Sequence, residues 1–157
     1  MVRAGRRWAA RWHPAGGEWT VPTGGLRGRR MDNGFRLSDR MAADLVYTGE
    51  LRVLAGRAAG LTFRATADGS AHYTVNVDTD GLVKLWRPGR DIAVHPVTIV
   101  PGSMYRLRVV ATGPRIQVWF DGGTIPVIDA TDGTYPAGRV GVNVFDSVAE
   151  FQDVMLS

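Results

Sequence analysis

The chain has 157 residues, 45% of them hydrophobic, no cysteine and a formal charge of +4. That length allows one domain with one core, and the missing thiols rule out disulfides and thiolate metal sites. The charge suggests nucleic acid, but residues 1–30 hold seven arginines against one acid, whereas the rest hold twelve bases against fourteen acids; the basicity therefore belongs to one end, and neither nucleic acid nor membrane is expected as a partner.

The first eighteen residues, MVRAGRRWAARWHPAGGE, lack the apolar run of a secretory signal and read as a basic linker or tail. Trp8 and Trp12 lie four apart and could share a helix face, which is the alternative reading of that segment. From Trp19 the pattern changes, and residues 19–157 read as one β domain. WTVPTGGLRG is a first strand with a glycine corner, Pro22 placing it at an edge. Residues 29–41 are polar and arginine-rich, and read as loop. DLVYTGELRVL alternates with a bulge at Gly49, and residues 56–59 read as a turn.

The central stretch, GLTFRATADGSAHYTVNVDTDGLVKLWR from Gly60 to Arg87, reads as three strands joined by turns at Asp68-Gly69 and Asp80-Gly81. Its period of two puts Leu61, Phe63, Tyr73, Val75 and Val77 on one side. Arg64, Asn76, Asp78, Lys84 and Trp86 share the other. A short strand follows within IAVHPVTIV. YRLRVVA and RIQVWF form a hairpin that turns at Gly113-Pro114 and leaves Gln117 and Trp119 outward. Ile125–Asp129, RVGVNVF and EFQDVML complete the strands. Ten or more short strands without intervening helices mean an all-β fold: a two-sheet antiparallel sandwich of the jelly-roll, concanavalin A-like kind.

Several motifs in sequence carry a family resemblance. WTVPTGGLRG, ADLVYTGELRV, AAGLTFRA with HYTVNVDT, VKLWR, YRLRVVATGPRIQVWFDG, IDATDGTYPAGRVGVNVF and AEFQDV run from Trp19 to Val154. Their order resembles the C-terminal sandwich domain of family 32 glycoside hydrolases, the levanases and inulinases, and the related family 66 carbohydrate-binding modules. The resemblance implies a concanavalin A-like sandwich that recognises fructan, often its terminal fructose, beside a glycoside hydrolase catalytic domain in a secreted, extracellular parent. The Asn-Asp-Pro-Asn-Gly, Arg-Asp-Pro and Glu-Cys motifs of the family 32 catalytic propeller do not occur here, so no catalytic residue is expected.

The residues themselves point to sugar. An indole covers the C–H face of a sugar ring, while charged side chains pair with its hydroxyls. Arg64, Asp78, Lys84, Trp86, Gln117 and Trp119 are the expected carbohydrate contacts. A one-sugar site made of neutral hydrogen bonds should bind near the millimolar end, ~4 kcal/mol. Two other readings stand beside it: a structural or interaction sandwich left from a larger glycosidase, and a stand-alone glycosidase. The last would need two carboxyls ~5–5.5 Å apart, and no strand offers a clear pair. Asp132 and Tyr135 in TDGTYPAG read first as turn chemistry. The run Asp78-Thr79-Asp80-Gly81 reads first as a turn and also resembles a calcium loop, though it lacks a closing glutamate; no cofactor is expected, with calcium as the alternative.

Overall fold

The computed structural model describes residues 12–21 and 25–157. Among the described residues eleven strands form: β1 (Trp12–Ala15), β2 (Glu18–Thr20), β3 (Leu26–Ala42), β4 (Leu45–Ala65), β5 (Tyr73–Asp78), β6 (Leu82–Arg87), β7 (Arg90–Pro96), β8 (Tyr105–Thr112), β9 (Arg115–Phe120), β10 (Ile128–Thr131) and β11 (Gly138–Leu156). All pairings are antiparallel.

Three long strands, β3, β4 and β11, bend and serve two sheets. Residues 45–51 of β4 pair with β8, whereas residues 58–63 pair with β5. The front sheet runs β1-β3-β11-β4-β5-β6-β7; the back sheet continues from the other halves of the same strands through β8, β9 and β10, with β2 on β3. Val75, Val77, Val83 and Leu85 from the front and Leu107, Val109, Ile116 and Val118 from the back belong to one buried cluster. Alternation therefore points one set of side chains from each sheet into a common interlayer and the other set outward. This is the expected sandwich.

Several local expectations change. Residues 29–41 are strand, not loop. The polarity of the segment misleads because β3, which begins at Leu26, pairs some of its charges with opposite charges on the neighbouring strand. Arg27 Nη2 lies 2.6 Å from Glu150, and Arg139 Nη1 lies 2.9 Å from Asp39, the cross-strand pairing that lets a charged strand sit mid-sheet. Residues 56–59 are not a turn but the bend within β4, where Gly56 takes φ +84°. The bulge expected at Gly49 lies on the partner strand: between Gln152 and Met155 β11 sets two residues, one of them extra, against the single Gly49, with Asp153 at φ +51°. RVGVNVF and EFQDVML are one strand with a kink at Asp146. Finally, Trp12 is buried in β1 and paired to Ser38 rather than on a helix, so the sandwich takes in Trp12–Ala15 ahead of the expected start at Trp19. Trp8, Pro22 and the rest of the expected tail before Trp12 lie outside the described residues.

Candidate functional site

The outer face of the front sheet is where strand register gathers polar side chains. One row across it reads Phe35, Asn143, Gly60, Asn76, Lys84 and Val94; the next reads Asn33, Phe145, Ala58, Asp78 and Leu82. A third brings Gly141, Thr62, Thr74 and Trp86 together. Paired residues put their Cβ atoms on the same side of the sheet, so each row is a real neighbourhood.

Gly60 makes the centre of this face close. A Cβ there would stand 2.0 Å from the Val75 carbonyl oxygen and 2.7 Å from the Asn76 Cβ. β4 and β5 thus approach each other as only glycine permits, and nothing projects from position 60 between Asn143 and Asn76. The result is a cavity of about 230 Å³ lined by Asn33, Arg57, Asn76, Asp78, Lys84, Trp86, Asp91 and Phe145. It falls below the ~300–1,000 Å³ of drug-sized pockets, which suits a small ligand.

The walls are held by ion pairs. Arg57 Nη2 donates to Asp78 Oδ2 and Asp80 Oδ2, each at 3.3 Å, while its guanidinium carbon lies 5.6 Å from the Phe145 ring centroid. Asp78 also accepts from the Asp80 backbone N–H at 2.8 Å. Lys84 Nζ lies 3.8 Å from Asp91. The Trp86 indole is fixed from behind. His72 meets it edge-on, 4.8 Å between centroids and 88° between planes, and Phe35 backs His72 at 4.7 Å. His72 Nδ1 lies 2.9 Å from Thr74 Oγ1, itself 2.8 Å from Thr62 Oγ1. Burial pushes the His72 pKa down to about 4, so the imidazole is neutral near pH 7.

Three polar atoms on this face are buried without a hydrogen-bond partner among the described residues: Asn76 Oδ1, Asn143 Oδ1 and Trp86 Nε1. Asn143 spends its amide N–H groups on Asn33 Oδ1, the Gly34 carbonyl and the Val144 carbonyl, leaving its oxygen idle. Buried polar groups are satisfied almost everywhere in proteins, and a cluster of exceptions calls for a reason. Asn76 and Trp86 line the cavity, and one acceptor and one donor there, with aromatic faces beside them, match a ligand that offers hydroxyls and C–H bonds.

The expected contacts divide. Asp78, Lys84 and Trp86 come together at this cavity. Arg64 does not: it is 2% exposed, donating to the Ala43 carbonyl at 2.9 and 2.7 Å, to Gly113 at 2.8 Å and to Tyr135 at 3.3 Å. A bulge explains this. β11 slips register between Arg139 and Gly141 against Ala65 and Thr62, Arg64 takes φ +50°, and its side chain leaves the outer row to clip three loops together. Gln117 and Trp119 are also elsewhere. They lie on the outer face of the back sheet, where the Arg108 guanidinium carbon sits 4.9 Å from the Trp119 ring and Gln117 Nε2 donates to Asp129 at 3.4 Å. Alternation told which side of its strand each residue takes, but not to which sheet the strand belongs, so residues outward on opposite sides of the sandwich looked like one set.

The sequence reading missed Asn33, Arg57, Asn143 and Phe145. The first two lay in segments read as loop and turn. Asn143 was legible as an outward polar residue, but only pairing with Gly60 places it beside Asn76. Asp132 is structural, as the turn reading held: its carboxylate accepts from Tyr73 Oη at 2.6 Å, the Thr134 N–H at 3.0 Å and Arg87 Nε at 3.1 Å. Burial opposes its charge, yet these bonds outweigh burial and hold its pKa far below the usual carboxylate range. The Asp78-Asp80 turn is tied to Arg57, and among the described residues no group of three or more His, Cys, Asp or Glu could hold a metal ion.

Comparison with known proteins adds the following. No protein-family model matches the chain. It is 31% identical over 151 residues to a levanase of Bacillus subtilis (strain 168), covering 91% of this chain and 22% of that protein. A levanase of Bacillus sp. (strain L7) is 31% identical over 132 residues, covering 80% of this chain. The chain thus spans only 22% and 14% of these two relatives' lengths. The solved structure of the carbohydrate-binding module CBM66 from Bacillus subtilis superposes with a TM-score of 0.88 at 31% identity, covering 93% of this chain and 94% of that one. A β-glucanase of Bacillus licheniformis, TM-score 0.67 at 11% identity, shares the fold alone.

Proposed function

We propose that this chain, which belongs to family 66 of the carbohydrate-binding modules, holds the end of a fructan chain in the front-sheet cavity and keeps an attached, secreted glycoside hydrolase on its polysaccharide. The module is non-catalytic: the solved relative of matching length is a binding module, and the levanases extend far beyond the matched segment. The observation that supports the location is the pair of buried atoms without a partner among the described residues, Asn76 Oδ1 and Trp86 Nε1, both on residues that line the cavity. A sugar packed against Trp86 would take a hydrogen bond from the indole N–H at the ring edge and give one to the Asn76 amide oxygen. Asp78 accepts from further hydroxyls, and Arg57 and Lys84 donate to them, as charge-assisted bonds. The stacked face adds apolar contact. A site of this size should bind a single sugar near millimolar, ~4 kcal/mol.

Affinity electrophoresis through gels containing levan, inulin, xylan or laminarin tests this. Levan should retard the wild type, Trp86→Ala should run freely, and Trp119→Ala, changed on the opposite face, should be retarded like wild type. Loss of retardation in Trp119→Ala but not in Trp86→Ala would move the site to the back sheet. No retardation by any glycan would favour a purely structural sandwich.

A further inference from the structure

A second concavity adjoins the first. A trough of about 650 Å³ lies where β3, β11 and β4 bend between the sheets, lined by Gly17, Glu18, Arg29, Arg30, Met31, Ala55, Gly56, Asp146, Ser147 and Val148. Its floor is open because the residues there are small and close. A Cβ on Gly56 would fall 2.0 Å from the Asp146 carbonyl oxygen, and the bulge between Phe145 and Ser147 carries Asp146 at φ +44°. Arg57 and Phe145, which wall the front-sheet cavity, are the chain neighbours of Gly56 and Asp146, which line the trough. The row containing Phe145 and Ala58 and the row containing Ser147 and Gly56 are two residues apart along both strands, about 7 Å at strand rise. The cation–π pair of Arg57 and Phe145 is therefore a low ridge between two depressions.

The lining of the trough fits a neutral polyol. Arg29 and Arg30 are offset by Glu18 and Asp146, so no single sign of charge prevails. Arg30 is held by Asp32 of its own strand, whereas Arg29, Glu18 and Asp146 are available. The Arg29 and Glu18 side chains are 67% and 81% exposed and approach only to 3.9 Å, and Asp146 is exposed. Met31, 86% exposed, adds a polarisable apolar surface for C–H contact.

We propose that this trough is a second sugar subsite: a fructan whose terminal residue occupies the front-sheet cavity continues over the Arg57–Phe145 ridge, so the module reads more than the terminal residue. The inference rests on the terminal-sugar reading of the cavity. A ligand engaging both depressions gains from the second at little extra entropic cost, because the first already holds it.

Isothermal titration with fructose and with β-2,6-linked fructo-oligosaccharides of two to four residues tests the extension, using wild type and the double variant Arg29→Ala/Met31→Ala. Both changed side chains are exposed, so the fold should tolerate their loss. Wild-type affinity should rise roughly tenfold from fructose to the trisaccharide, about 1.4 kcal/mol. The double variant should bind fructose as wild type does but lose that rise. Fructose binding with affinity flat along the series, or a rise that survives in the double variant, would overturn the second subsite and leave the first. Failure of fructose and every oligosaccharide to bind would overturn the cavity reading, and the extension with it.

Discussion

Asn76→Ala separates a binding residue from a structural one, because the two roles predict opposite signs for stability. Asn76 is 3% exposed and its Oδ1 has no hydrogen-bond partner among the described residues. A buried acceptor left unmade costs roughly 1–3 kcal/mol, a penalty the folded protein bears until ligand arrives. Truncation removes that penalty together with a few van der Waals contacts at the edge of an existing cavity. Unliganded stability should therefore stay level or rise by about 1 kcal/mol, which for a chain of this size is a Tm increase of roughly 2–4 °C. Affinity for levan oligosaccharide should fall by about 1 kcal/mol, roughly fivefold, the net worth of one neutral hydrogen bond. Differential scanning calorimetry gives the first quantity and titration calorimetry the second. A Tm lowered by more than about 4 °C with affinity unchanged would refute the reasoning and make Asn76 part of the scaffold.

Three further outcomes are expected. Arg64→Met strips the Ala43, Gly113 and Tyr135 carbonyls of a buried cationic donor and should cost about 3–5 kcal/mol in urea unfolding, while protein still folded binds levan as before; a loss under about 1 kcal/mol would deny Arg64 its anchoring role. Gly60→Ala forces a methyl against the Val75 carbonyl, which is backbone and cannot swing aside, and should destabilise by about 1–3 kcal/mol with loss of sugar binding; a variant of wild-type stability would show that β4 and β5 need not approach so closely. Acid should weaken the fold through His72. Its folded pKa, about 4, lies below the ordinary 6.5, so the unfolded chain takes up the proton first. This contribution is whole above pH 6.5, declines between about 6.5 and 4, and is constant below, a total of about 3 kcal/mol. Urea midpoints at pH 7, 5 and 4 should fall in wild type and fall less in His72→Gln; equal slopes would place the acid sensitivity elsewhere.

The architecture explains why the cavity sits where it does. The bends in β3, β4 and β11 let one strand set build both layers, and each bend is marked by an irregularity: Gly56, Asp146 or the register slip around Arg64. Bulges re-aim side chains and often flank sites. Here one sends Arg64 inward to fasten loops, and another opens the trough beside Phe145.

Much of this was present in the residue order. The period of two from Leu61 to Leu85 dictated which side chains pack and which face out, because strand geometry offers no other choice. The turn chemistry at Asp68-Gly69, Asp80-Gly81 and Asp132-Gly133 separated the strands, and Asp78, Lys84 and Trp86 emerged as neighbours because they lie on one hairpin, where pairing is local. What lay beyond reach was everything set by pairing between distant segments. Arg29 to Met41 looks like solvated loop on polarity alone, and it is strand because its backbone pairs with β11 on one side and with β1 and β2 on the other. Asn143 and Asn76, 67 positions apart, meet only because Gly60 draws their strands together. Trp119 seemed a companion to Trp86 because alternation is a property of a single strand, whereas the side of a sandwich on which a strand's outer face ends up is decided by the fold of the whole chain.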